Sequence, residues 1–183
     1  MYRLIQILLR VFIALLIIIL VTTVCFGIVY SLFPSKHSDI INKYCDEFDV
    51  SPHLVMALIK AESNFDENAF SRAGAKGLMQ LTDETFKYCT NVLGTNFSSE
   101  DIFNPEANIC AGVWYMSYLL EKYDGNITNA VAAYNAGLAN VDKWLSDSSL
   151  SPDGKTLSNI PYGETKRHCE KIKAYSRLYK FLY

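Results

Sequence analysis

Val55, Leu58, Glu62 and Phe65 follow one another at steps of three, four and three residues. On an α-helix that spacing places all four on one face. Three are apolar, so the face points toward a core, and Glu62 projects from it near the helix end. A carboxylate there is stripped of water and meets the negative end of the helix dipole. Both effects favour the neutral acid. A glutamic acid that keeps its proton near neutral pH can protonate a departing oxygen, which is what breaking a glycosidic bond requires. The plain alternative is a structural glutamate paired with a basic residue or holding a loop amide.

The elements that must position Glu62 read as helices almost throughout, with no convincing run of alternating strand residues. Residues 39–48 form a first helix with an apolar stripe of Ile40, Ile41, Tyr44 and Phe48. Ser51-Pro52 starts the helix that carries Glu62, with serine as the cap and proline at the first helical position, and it ends at 62 or 63. A loop containing Gly74 and Gly77 follows. Thr82 caps a helix to about residue 92, and Asn104-Pro105-Glu106 opens another that runs to 123, where Asp124-Gly125 stops it. Residues 127–136 form a short helix ending at Gly137, a suitable left-handed terminator. One or two turns follow over 138–145, then a polar loop over 146–163 and a closing helix over 164–183. The fold class is therefore all-α, with six or seven helices in one compact domain.

The N-terminal segment of the chain has a different character. Residues 11–33 carry no charge and are dominated by Ile, Leu and Val. That length suffices to cross a bilayer. Arg3 and Arg10 precede the run and no acidic residue does, which favours a cytoplasmic N-terminus with the remainder outside. Ser31-Leu32-Phe33 is a poor cleavage site, and Val24 is too bulky to precede a lipidated cysteine at 25. An uncleaved single-pass signal anchor over residues 1–34 follows, with an extracytoplasmic domain over 35–183. The net charge of −2 gives no strong pull toward nucleic acid. Cys45, Cys89, Cys110 and Cys169 permit two disulfides outside the membrane and equally permit buried free thiols. Their scattered spacing does not suit zinc. His37, His53 and His168 have no partners at metal spacing and read as solvated and incidental. No metal and no cofactor is expected.

Five blocks in order give the domain a stronger resemblance. They are residues 57–65 (Ala-Leu-Ile-Lys-Ala-Glu-Ser-Asn-Phe), residues 71–81 (Ser-Arg-Ala-Gly-Ala-Lys-Gly-Leu-Met-Gln-Leu), Asn108-Ile109 with Gly112 and Tyr115, residues 132–137 (Ala-Ala-Tyr-Asn-Ala-Gly), and Ile160-Pro161 with Glu164-Thr165-Lys166. Together they resemble the catalytic domain of soluble lytic transglycosylases, glycoside hydrolase family 23, whose fold is similar to goose-type lysozyme. Two positions depart from the family pattern. Leu138-Ala139 stands where a proline is usual, and Lys166 stands where arginine is.

The resemblance implies a lysozyme-like helical domain that cleaves the β-1,4 bond between N-acetylmuramic acid and N-acetylglucosamine in peptidoglycan glycan strands. It implies Glu62 as general acid and then general base, with the muramic acid 6-hydroxyl closing a 1,6-anhydro ring in place of water. Because the nucleophiles are internal to the substrate, no second carboxylate of the usual glycosidase pair is needed, and Asp66 and Glu67 read as solvated loop acids. It further implies that Ser71 bonds the acetamido group, that Met79 and Gln80 line the glycan groove, and that Gly74 and Gly77 let the loop pass close to substrate. Tyr134 is expected to hydrogen-bond Glu62. Asn135 shares its helix end, and Glu164 lies in the groove, contacting a sugar or holding Tyr134. Each has a plain structural reading: a turn for Ser71, core filling for Met79, packing for Tyr134, a helix N-terminal acid for Glu164. A lysozyme-type hydrolase and a non-catalytic wall-binding scaffold are the competing functions. The anchor suits local wall remodelling or the passage of a secretion or conjugation apparatus, which would make cell-envelope machinery a partner.

Overall fold

The structure, a computed structural model, describes residues 1–183. The chain divides into two compact units, Met1–Ser35 and Lys36–Tyr183. The first is a single helix, α1 (Tyr2–Leu32), with no buried residue. At 1.5 Å per residue it is about 46 Å long, against about 30 Å for a bilayer's hydrocarbon core. It is long and apolar enough to cross a membrane. Thr22 and Thr23 turn their hydroxyls back to the Ile19 carbonyl at 2.9 Å, so even the polar side chains of this run are satisfied within the helix.

The second unit is helical: α2 (Ser38–Phe48), α3 (Pro52–Glu62), α4 (Asp83–Leu93), a 3-10 turn (Ser99–Phe103), α5 (Pro105–Lys122), α6 (Ile127–Ala136), α7 (Leu138–Leu145) and α8 (Gly163–Leu182). The caps explain most boundaries. Thr82 accepts from the Thr85 amide at 3.2 Å, and Asn104 accepts from the amides of Glu106 and Ala107. Ser51, by contrast, caps α3 by position only, with no side-chain bond. Gly137 has a positive φ of 87° but an extended ψ of 149°, so it turns the chain directly into α7 rather than closing α6 with a left-handed cap. The 3-10 turn was not expected. Its signal is Ser98 with Asp101 three residues on, whose carboxylate accepts from the Ser98 amide at 2.7 Å.

α3 is the centre of the domain. Residues 54 to 59 are all buried, so this helix is enclosed on every side rather than along one stripe. It packs most extensively on α8, while α5 touches α2, α4 and α6, and α6 bridges α7 and α8. The four domain cysteines are free, three buried and Cys169 half-buried. Burial pushes Cys45 and Cys89 up to about 12 and Cys110 and Cys169 up to about 11. They are structural, protonated thiols.

Candidate active site

The loop between α3 and α4 forms one wall. Short bridges pair Phe70 with Lys76 and Lys76 with Leu81, folding residues 70–81 into a tight double turn. One buried side chain pins it. Asn108 of α5 accepts from the Met79 amide at 2.8 Å and donates to the carbonyls of Lys76 (3.1 Å) and Ile102 (2.8 Å). Its amide thereby joins loop, 3-10 turn and helix, at about 0.5–1.5 kcal/mol net per bond. Two glycines permit the approach. A Cβ on Gly77, which sits at φ +74°, would come within 2.5 Å of Asn108 Nδ2. A Cβ on Gly112 would lie 2.4 Å from the Met79 sulfur.

The end of α3 forms the other wall. Just after Glu62, Asn64 and Phe65 both adopt left-handed backbone, at φ 54° and 62°. That conformation is unfavourable for a bulky side chain. It returns Phe65 at once to the core, where it is 4% exposed and meets the Tyr179 ring of α8 at 6.4 Å. The chain therefore reverses tightly and leaves the Glu62 carboxylate at the corner. Ser63 locks this corner to the loop, donating to the carbonyl of Leu78 at 2.8 Å.

Glu62 is 16% exposed: withdrawn from bulk water yet reachable. Its Oε1 lies 3.2 Å from Nε2 of His168 on α8, a side chain itself 12% exposed. One turn on, Lys171 donates to the Ala61 carbonyl at 3.2 Å. One turn back, the buried Thr165 donates to Asn135 Oδ1 at 2.7 Å. Three residues of α8 thus reach the ends of α3 and α6. Burial and, second, the charge of Glu62 push the Tyr134 phenol well above its ordinary pKa.

Several expectations need correction. Tyr134 does not bond Glu62; its hydroxyl donates to the Met79 carbonyl at 2.8 Å. Met79 does not line a groove. Its side chain is fully buried against Gly112, and its contribution is the backbone carbonyl and amide. Gly77 is buried and faces Asn108, so its freedom serves the loop's own packing, whereas Gly74 has open space around it. Glu164 is exposed and unpaired and does not hold Tyr134. It lies one helical turn before His168, on the same face of α8. His168 is not solvated but sits beside Glu62, and His37 pairs with Glu67 at 3.2 Å.

Ser71 and Gln80 flank the loop. The Ser71 hydroxyl oxygen accepts from the Ala75 amide at 3.0 Å, leaving its proton free to donate. The Gln80 amide donates to Ala69 and Gly77 carbonyls, leaving Oε1 free to accept. Asn135 is exposed, with Oδ1 held by Thr165. Asp66 closes a turn on the Asn68 amide. No group of three His, Cys, Asp or Glu residues is placed to hold a metal. Reading by spacing missed His168 because a side chain on the far helix has no sequence relation to Glu62. Asn108 was visible as part of a block but not as a hub.

Residues 39–155 match the Transglycosylase SLT domain family. A putative soluble lytic murein transglycosylase of Haemophilus influenzae is 34% identical over 152 residues, covering 81% of this chain and 26% of that protein. A membrane-bound lytic murein transglycosylase C of Yersinia pestis is 30% identical over 167 residues, covering 79% and 47%. Among solved structures, an inactive glutamate-to-glutamine mutant of the lytic transglycosylase Slt of Pseudomonas aeruginosa superposes with a TM-score of 0.72 at 29% identity, over 80% of this chain and 24% of that one. The chain spans about a quarter of the length of these soluble relatives. The all-helical, lysozyme-like architecture expected from the sequence is the one these structures share.

Proposed function

The chain belongs to the Transglycosylase SLT domain family, and from that premise we propose that it is a peptidoglycan lytic transglycosylase with Glu62 as its acid–base catalyst. The observation that carries this reading is the Glu62 carboxylate itself. It is 16% exposed at a tight chain reversal, whereas of the acids that follow it in sequence Asp66 is committed to the Asn68 amide and Glu67 is 46% exposed. One carboxyl group withdrawn from bulk water at this corner suits a reaction that needs one proton donor and no enzymic nucleophile.

Glu62 protonates the oxygen leaving the muramic acid ring. The carboxylate so formed then takes the proton of the ring's own 6-hydroxyl, which attacks the anomeric carbon and closes the 1,6-anhydro bond. The proton count of Glu62 is restored and no water is consumed. Ser71, with its free hydroxyl proton, and Gln80, with its free Oε1, are suited to the acetamido groups of the strand. Tyr134 acts at one remove, fixing the Met79 carbonyl and hence the loop. The exposed Glu164 and Asn135 stand at the rim. In the Pseudomonas aeruginosa relative, one glutamate-to-glutamine change gives an inactive mutant, which fits dependence on one acid.

α1 is the membrane anchor in this reading, crossing once with Arg3 and Arg10 inside and residues 35–183 outside the cytoplasm. Cutting is thereby confined to wall near the membrane, which suits service to an envelope-spanning machine. The experiment is product analysis. The detergent-solubilised full chain is incubated with purified sacculi, and the fragments are read by mass spectrometry. Anhydro-muramic ends are expected, and they should vanish with Glu62→Gln. Reducing ends would make the protein a hydrolase, and no fragments a binding scaffold.

A further inference from the structure

His168 carries a role that the family resemblance does not assign to it. Its Nε2 is sealed from solvent and makes no hydrogen bond of proper geometry. A buried polar atom without a partner is costly, and native structures rarely tolerate one without a reason. Oε1 of Glu62 lies 3.2 Å away.

The donors on the neighbouring elements have partners of their own. Tyr134 of α6 donates to the Met79 carbonyl, Ser63 to the Leu78 carbonyl, and the Gln80 amide to Ala69 and Gly77. Lys171 donates to the Ala61 carbonyl, and Lys60 is bonded to Asn64. His168, by contrast, has no hydrogen bond at Nε2 and stands 3.2 Å from the carboxylate.

We propose that His168 is the positioning residue of the catalytic acid, its Nε2–H holding Oε1 of Glu62 so that Oε2 is the oxygen that exchanges protons with the glycan. This rests on the reading of Glu62 as the acid. The chemistry demands such a clamp. Glu62 must be neutral when it acts as acid and anionic when it acts as base, and in both states Oε1 can accept from the same N–H while the proton comes and goes on Oε2. A carboxyl group free to rotate would offer the wrong oxygen in part of its encounters, and a misplacement of about 1 Å can cost about a hundredfold in rate. The incomplete alignment fits a site without substrate, since catalytic hydrogen bonds commonly tighten only once substrate is bound.

The role separates from simple packing by two substitutions in the full-length protein. His168→Met keeps comparable bulk and removes the donor. His168→Gln offers an amide N–H close to where Nε2 stands. With solubilised glycan strands as substrate, His168→Met should lower kcat about 10- to 100-fold with KM little changed, and His168→Gln should recover most of the loss. Thermal unfolding shows whether each variant is folded; should the methionine variant not fold, His168→Ala carries the same reading. A methionine variant whose kcat stays within about twofold of the parent, well short of the loss a misplaced group brings, would overturn the role. So would a glutamine variant as slow as the methionine one, because shape and not the donor would then matter. The parent protein run alongside distinguishes the two ideas. If it yields no anhydro ends, the proposed reaction has failed, whatever the His168 variants do.

Discussion

Asn108 and His168 are two enclosed polar side chains that face opposite walls of the same site, and they are used in opposite ways. Asn108 makes three hydrogen bonds to backbone groups and has almost no capacity left. His168 presents a sealed nitrogen to a carboxylate and completes no bond. Where the molecule must hold still, its polar groups are saturated. Where it must handle a proton, capacity is left open. The contrast teaches where rigidity and reactivity have been placed: the loop wall is a fixture, and the α3 corner is the working part.

The largest effect should come from the corner. Glu62→Gln keeps shape and removes the proton, so turnover should fall by about 10²- to 10⁴-fold with thermal stability nearly unchanged. Retained turnover would move the working part elsewhere. At the loop wall the pattern should invert. Asn108→Leu strands the Met79 amide and the Ile102 carbonyl, each unsatisfied group costing about 1–3 kcal/mol, while the Lys76 carbonyl keeps the Leu81 amide, so unfolding should occur at clearly lower temperature or denaturant. An Asn108→Leu protein as stable as the parent would mean that the loop is held by something other than this hub. A smaller loss is expected from Gly112→Ala, whose methyl must displace the Met79 sulfur, at about 1–3 kcal/mol for overpacking. Adding Met79→Ala should recover part of it, a coupling that a double-mutant cycle measures.

The smallest effect concerns pH. Burial raises Cys45 and Cys89 to about 12, above the ordinary thiol value of 9.0. The unfolded chain therefore loses these protons first as pH rises, and stability present below the unfolded pKa declines above it. The melting temperature should drop modestly between pH 7.5 and 9.5, and alkylation of Cys45 and Cys89 in the folded protein at pH 8, followed residue by residue, should be slow. Fast alkylation would show the interior to be as open as the corner.

Much of this contrast was legible in the sequence, and the illegible part has a physical cause. Helix ends were readable where a side chain caps them, as at Thr82 and Asn104, because the signal is local. The stripe through Val55 and Leu58 was real but incomplete, since α3 is buried all round and Leu54, Met56 and Ile59 are enclosed as well. Periodicity reports one exposed face and falls silent when there is none. Site roles carried by backbone escaped notice altogether. Met79 was expected to offer a side chain to sugar, yet its carbonyl and amide are what Tyr134 and Asn108 grip. His168 could not be paired with Glu62 from spacing, because the 105 positions between them carry no period that links α3 to α8.

One consequence of α8 reaches beyond the residues it presents. Thr165, His168 and Lys171 recur every third position and grip separate neighbours, while Tyr179, far down the same rod, is seated against Phe65. Adding a single residue between His168 and Tyr179 would swing one group relative to the other by about 100° around the axis. All three grips would disengage together, as teeth on a shaft do when its key is shifted. The tail of the chain, remote from the chemistry, thereby sets the timing mark for it.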